Sequence, residues 1–216
     1  MFPSMSDVQT ILKPEHYYHI YNHAVGNEKL FDSDQDYIYF LAKFKKYILP
    51  ISELLTYCLM PNHFHLIIRL KSEEEIKIFI NSNSKDDHHL TGREAPVGYE
   101  INKSLSQIFS NFFNTYAKHY NFWKKRTGTL FKRAFRRKEI EDMEYLRKLI
   151  CYIHQNPVRA GLANKPDEWK YSSFHALIGV QPTLIPRKEI ISLFGDLQNF
   201  IYCNLKQVEL ETEYLH

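Results

Sequence analysis

Two apolar runs joined by a two-residue reversal constrain this chain more than any other feature. ISELLTYCLM (51–60) and HFHLIIRL (63–70) are separated only by Pro61 and Asn62. So short a connection brings the second run back beside the first, and the pair reads as a β-hairpin. In an extended chain successive side chains point to opposite faces. Phe64, Leu66, Ile68 and Leu70 then form one unbroken apolar face, while His63, His65, Ile67 and Arg69 share the other. The hairpin has to bury its first face against something, and it presents two neighbouring histidines on the second.

The elements around the hairpin follow from pattern. HYYHIYNHAV (16–25) alternates like a strand. After the Asp and Ser of FDSDQD, the residues Tyr37, Phe40, Leu41, Phe44 and Tyr47 fall at helical spacing, and Pro50 closes the helix. Residues 71–100 are polar and turn-rich and read as an exposed insertion. A helix is expected over about 102–120, with Leu105, Ile108, Phe109, Phe112 and Phe113 on one face. Gly128 marks a loop, FRRKEI (135–140) a fourth strand, and EDMEYLRKLICYIHQN (141–156) a helix stopped by Pro157. A short helix and then helical character around 187–207 end the chain. The order strand–helix–strand–strand–helix–strand is the split βαβ pattern: an α+β, ferredoxin-like, four-stranded antiparallel sheet with helices on one face. His63 and His65 are then expected on the other, open face. The natural division is 15–177 for the main domain and 178–216 for a C-terminal helical extension.

Composition closes several alternatives. No apolar run approaches the roughly 20 residues of a membrane span, and MFPSMSDVQT lacks the basic start and apolar core of a signal peptide. Cys58, Cys151 and Cys203 are odd in number and widely spaced, which speaks against a disulfide framework or a zinc ribbon and for a reducing cytoplasm. Net charge is only +3, yet the nine Lys and Arg between positions 118 and 138 meet no acid there. They are Lys118, Lys124, Lys125, Arg126, Lys132, Arg133, Arg136, Arg137 and Lys138. With Tyr116, Tyr120, Phe122, Trp123 and Phe131 interleaved, the segment suits a nucleic-acid backbone and its bases. A solvated basic face over core aromatics is the plainer alternative.

Three groups carry candidate chemistry. Two histidines on one strand face are about 7 Å apart at Cβ and can share a metal ion. With 11 His in 216 residues, however, roughly half a His-x-His occurrence is expected by chance. On the 141–156 helix, Tyr152 and Asn156 lie one turn apart and can reach the same point. Tyrosine is a competent nucleophile and an amide oxygen a competent metal ligand. The alternative is a packed tyrosine beside an Asn that caps the helix. His19 and His23 read as structural groups, or as supports for a ligand, rather than as primary ligands.

Taken together, MPNHFHLIIR and the distant YIHQNPVRAG resemble the single-tyrosine HUH transposases, most closely the REP-associated tyrosine transposases. The resemblance runs from YHIYNHAVGNEKLF to YSSFHAL at 171–177. It implies His63, His65 and Asn156 as ligands of a divalent metal, Mg²⁺ or Mn²⁺, and Tyr152 as nucleophile; Tyr145, two turns earlier on nearly the same face, is the rival but has no counterpart in the family motif. It further implies cleavage and rejoining of single-stranded or hairpin-forming DNA from palindromic repeat elements through a 5′-phosphotyrosine link. The enzyme would act in the cytoplasm, on the nucleoid, as a monomer or homodimer. A non-catalytic nucleic-acid-binding module and a water-using metal hydrolase are the competing readings.

Overall fold

The computed structural model describes residues 10–83, 97–132 and 134–206. In chain order the elements are β1 (Tyr17–His23), α1 (Asp34–Tyr47), β2 (Ser52–Met60), β3 (His63–Leu70), α2 (Glu73–Asn83), α3 (Val97–Trp123), β4 (Arg136–Ile140) and α4 (Met143–Arg159). A 3₁₀ turn (Pro166–Glu168) and α5 (Phe174–Ile178), α6 (Arg187–Ser192) and α7 (Leu197–Leu205) follow. The strands form one sheet in the order β2-β3-β1-β4, with every neighbouring pair antiparallel. That is the expected α+β split βαβ topology. No described helix is long and apolar enough to cross a membrane.

Alternation works as the hairpin requires. Phe64, Leu66 and Ile68 are fully buried, and the Phe64 ring meets Phe40 of α1 at 5.2 Å and Phe113 of α3 at 5.6 Å between centroids. Phe112 and Tyr116 of α3 lie edge-on to Phe40, at 5.0 and 5.1 Å. The aromatic abundance of the sequence is thus spent on the layer between the sheet and these two helices. Edge-to-face rings of this kind add to the area they bury.

Three expectations are corrected. The segment after β3 is not all loop: Glu73–Asn83 is helical, opened by three glutamates that favour a helix N-terminus. Residues 84–96 of the expected insertion lie outside the described residues. Pro157 does not stop α4, which runs on to Arg159. It removes a single hydrogen bond near the end of the helix, and the reversal comes at Gly161, whose φ of +69° suits glycine. Finally, the histidine face of the sheet is not left open. The apolar stripe of α4 (Leu146, Leu149, Ile150, Ile153) is itself buried and lies over β2 on that face, where His154 of α4 meets Thr56 at 2.8 Å. An amphipathic helix must cover its stripe somewhere, and the β2 side of the second face is where it does so.

Candidate active site

The register of the sheet gathers histidines. Tyr21 lies opposite His65 and His23 opposite His63 on β1–β3, so His19, Tyr21, His23, His63 and His65 share the face toward α4. The His63 and His65 rings are 5.2 Å apart at their centroids. The His23 ring stacks on His63 at 4.7 Å, and His19 stacks on Tyr21 at 4.7 Å. Above them, Asp142 caps α4 by accepting hydrogen bonds from the Glu144 and Tyr145 backbone N–H groups. The helix so started brings Tyr152 to 6.3 Å from the His65 ring, edge-on.

Asn156 is brought to the same point. Its Nδ2 donates to the Tyr152 carbonyl oxygen at 3.1 Å, and its side chain stands close enough to the His63 ring to oppose the fall of that ring's pKa. With Nδ2 committed one turn back along the helix, the atom left to face His63 is Oδ1. Nδ1 of His63 is held by Asn62 Oδ1 at 2.8 Å. The other buried ligand candidate is held too: His65 Nδ1 lies 2.9 Å from His19 Nε2.

Burial sets the charge of these rings. It pushes the His19 pKa down to about 3 and that of His63 to about 4, and it holds His65 well below the usual imidazole range. Lys138 adds to the effect at His19, and neighbouring histidines add to it at His63 and His65. All three are neutral at pH 7, which is the form a metal ion requires. Among the described residues no three side chains drawn from His, Cys, Asp and Glu are grouped to hold a metal. Two imidazoles and the Asn156 amide oxygen are therefore the donor set on offer, a mixed nitrogen and oxygen set suited to a divalent cation that accepts imidazole.

One further detail fits the same use. His19 Nδ1 is buried with no hydrogen-bond partner. If His65 is to offer Nε2 as a lone pair, its proton must sit on Nδ1 and be donated to His19 Nε2. His19 must then carry its own proton on the unpartnered Nδ1. A buried polar atom without a partner is uncommon, and the arrangement is compatible with the tautomer that leaves His65 Nε2 open to a ligand.

Tyr152 is 9% exposed, and burial raises its pKa while Arg159 opposes that rise. The Arg159 guanidinium carbon sits 5.2 Å from the Tyr152 ring centroid. Arg159 was not singled out from sequence, although it lies seven residues after Tyr152 and so on the same helical face. Tyr145, the rival nucleophile, lies instead under Lys138, whose Nζ is 5.9 Å from its ring.

The nine basic residues separate into distinct sets. Alternation along β4 sends Arg136 and Lys138 to the histidine face, where Arg136 lies over Tyr21 at 5.8 Å. Arg137, between them, is buried on the opposite face and donates to the Thr10 carbonyl and to Ser106 Oγ. Lys124 pairs with Asp32 and Asp36, and Arg126 with Glu28. These three hold the fold together. Lys118 and Lys132 line a cleft beside α3, Lys125 ends that helix at a φ of +53°, and Arg133 lies outside the described residues.

A second polar cluster invites comparison with a hydrolase triad. Ser173 Oγ is 2.8 Å from His154 Nε2, and His154 Nδ1 is 2.6 Å from Asn204 Oδ1. All three residues are fully buried, and Thr56 Oγ1 closes the group at 2.7 Å from Ser173. A nucleophile needs access to a substrate, and this serine has none. The cluster ties α4 to β2, to the start of α5 and to α7.

No family model matches the sequence. The chain is 26% identical over 123 residues to a curated Haemophilus influenzae protein named as a REP-associated tyrosine transposase. The match covers 57% of this chain and 59% of that one, so the chain spans about three fifths of the relative's length. A solved structure of a REP-associated tyrosine transposase bound to a REP hairpin aligns with a TM-score of 0.48 and 16% identity, over 81% of this chain and 86% of that chain.

Proposed function

We propose that this protein is a metal-dependent single-strand DNA transferase of the REP-associated tyrosine type, cutting and rejoining hairpin-forming DNA through a covalent tyrosine link. The observation that carries the reading is that Tyr152 and Asn156 of α4 meet His63 and His65 of β3, nearly ninety residues earlier in the chain. The similarity to the Haemophilus influenzae protein agrees with it.

A divalent ion held by His63, His65 and Asn156 Oδ1 would withdraw electron density from the scissile phosphate and offset developing negative charge. The remaining work falls to side chains. Arg159 stands over the Tyr152 ring and favours its phenolate. The Tyr152 oxygen bonds to phosphorus as the P–O3′ bond breaks, giving a 5′-phosphotyrosine and a free 3′-hydroxyl. The phenol loses one proton and the leaving 3′-oxygen gains one, so the step is balanced and reversible. Reversal by the same or another 3′-hydroxyl rejoins the strand without a nucleotide cofactor. Arg136 and Lys138 on the same sheet face offer phosphate contacts beside the site.

The test is an SDS-resistant adduct. Protein is incubated with end-labelled single-stranded hairpin DNA and Mn²⁺ or Mg²⁺, and the products are separated under denaturing conditions. The adduct is expected in wild type and in Tyr145→Phe, and is expected to vanish in Tyr152→Phe and on chelation. An adduct that persists in Tyr152→Phe and disappears in Tyr145→Phe overturns the assignment of the nucleophile. Strand cleavage with no adduct at any time overturns the transesterification in favour of water.

A further inference from the structure

The reversal between β2 and β3 is held more firmly than a two-residue turn requires. Met60 and His63 are paired across it, which leaves Pro61 and Asn62 as the corner. Two-residue hairpin corners usually take positive φ at both residues or at the first. Neither Pro61 nor Asn62 does so, since Glu15 and Lys125 are the described non-glycine residues with positive φ. Proline is locked away from that region. Such a corner tends to splay its strands, and neighbouring segments hold it together. The Pro61 carbonyl accepts from the Leu30 and Phe31 N–H groups at 2.7 and 3.0 Å, and the Asn62 carbonyl accepts from the Ala24 N–H at 2.8 Å. Leu30 and Phe31 are themselves buried. The backbone of Asn62 is therefore fixed, although the residue is exposed.

From that fixed point the side chain reaches the next residue. Asn62 Oδ1 lies 2.8 Å from His63 Nδ1. The His23 ring stacks on His63 at 4.7 Å with the two planes 17° apart. The stack sets the plane of the His63 ring but not which edge carries Nδ1. Turning the ring over would keep the stack and lose the contact with Asn62. Ring and amide together define where both nitrogens lie.

The contact also decides where the proton sits. At pH 7 the His63 ring is neutral, so it has one proton for two nitrogens. An amide oxygen only accepts. Contact with Oδ1 puts the proton on Nδ1 and leaves Nε2 as a lone pair. Without an acceptor the proton is free to sit on Nε2, where it blocks a cation. An amide turned the other way would donate from Nδ2 and have the same blocking effect. A turn-forming role is the plainer reading of Asn62; it accounts for an asparagine at the corner but not for an amide aimed at an imidazole.

We propose that Asn62 is a positioning residue: its amide oxygen holds the proton of His63 on Nδ1 and so keeps Nε2 open to the divalent cation. The inference rests on the proposed function and adds to it how His63 is prepared before a cation arrives. The two histidines are prepared by different means, His65 by a buried ring and His63 by the corner of its own hairpin.

Two variants separate the acceptor from the turn. Asn62→Asp keeps an oxygen at the same reach, and Asn62→Ala removes it while suiting the same φ. Full-length protein labelled with ¹⁵N-histidine is studied metal-free at pH 7 by ¹⁵N–¹H multiple-bond correlation, with the His63 signal identified by its loss in His63→Gln. Wild type and Asn62→Asp are expected to carry the proton on Nδ1, and Asn62→Ala to show a mixture of both tautomers. Calorimetric titration with Mn²⁺ alone is expected to give an affinity about tenfold lower in Asn62→Ala and no lower than wild type in Asn62→Asp. Tenfold is the low end of what outer partners contribute, because water competes at an exposed amide. A proton on Nε2 in wild type overturns the proposal without recourse to any variant, and so does an unchanged tautomer in Asn62→Ala. Loss of affinity in both variants overturns it as well, since the turn and not the acceptor would then be at work. Equal Mn²⁺ affinity in wild type and Asn62→Ala overturns the positioning role alone. Wild type that binds no Mn²⁺ overturns the metal site of the proposed function, and the positioning role with it.

Discussion

Replacing His19 by phenylalanine separates support of a metal ligand from support of the fold. In the wild type His65 Nδ1 lies 2.9 Å from His19 Nε2, and both rings are nearly inaccessible, at 5% and 1% exposure. Phenylalanine keeps the stack on Tyr21 but offers no acceptor. For stability the change is close to balanced: it removes the unpartnered His19 Nδ1 and creates one unpartnered atom at His65 Nδ1. Each such atom costs about 1–3 kcal/mol, so the two contributions largely cancel and the melting temperature is expected to move by no more than a few degrees. For metal binding there is no such cancellation. The tautomer that exposes a lone pair at His65 Nε2 loses the acceptor that stabilised it. Outer hydrogen-bond partners of this kind are worth about 10–100-fold in affinity, or roughly 1.4–2.7 kcal/mol. The assay is a calorimetric titration of DNA-free protein with Mn²⁺ at pH 7, run beside a thermal melt of the same sample. A folded His19→Phe protein whose Mn²⁺ affinity stays within about twofold of wild type would refute the role given to His19. A parallel collapse of stability would refute the balance worked out above.

Asn204→Leu is expected to leave His154 Nδ1 without its 2.6 Å partner and to lower stability by about 1–3 kcal/mol, read from a denaturant midpoint. Among the described residues, Arg137→Ala is expected to lower the melting temperature through its buried bonds to Thr10 and Ser106. Lys138→Ala, by contrast, should leave stability near wild type and reduce the salt slope of DNA binding by about one. Burial raises the Cys58 thiol far out of its ordinary range and pushes Cys151 up to about 12. A disulfide reagent at pH 8 should therefore titrate Cys203 rapidly in the native protein and all three thiols only after unfolding.

The hairpin and its faces were legible because a two-residue reversal and strict alternation leave little freedom. The pairing of Tyr152 with Asn156 was legible because four residues make one helical turn. What could not be read was whatever depends on where a helix docks. Nothing in EDMEYLRKLICYIHQN says that its apolar stripe lies on the histidine face rather than beside α1 and α3. The end of α4 was misplaced for a related reason. A proline late in a helix costs one bond, and ten residues of α4 buried against the sheet and tail outweigh it. In the basic segment, local sequence shows nine cations but not the acids folded against two of them. Asp32, Asp36 and Glu28 lie about ninety residues from Lys124 and Arg126. Alternation along β4 could have separated Arg137 from Arg136 and Lys138 without a structure.

The polar cluster at the back of α4 keeps Tyr152 and Asn156 on their helix in register with the histidines on β3. Tyr152, Asn156 and Arg159 occupy one face of α4, while His154 points the other way and Gln155 lies on the flank. His154 binds Thr56, Ser173 and Asn204, and Gln155 Nε2 donates to the Asn204 and Lys206 carbonyls. These contacts come from β2, from the start of α5 and from α7, so they restrain rotation of α4 about its own axis more than its position. Rotation is the motion to which the site is most sensitive. A side-chain tip about 6 Å from the axis moves by about 2 Å when the helix turns through 20°. A misplacement of about 1 Å is enough to cost roughly a hundredfold in rate. Two contacts hold the front of the helix at the histidines, one from Asn156 to His63 and one from Tyr152 to the edge of His65, and neither spans more than one side chain. On the proposed function α7 therefore belongs with the site, although it touches neither Tyr152 nor the histidines: it would fix the angle at which Tyr152 faces them.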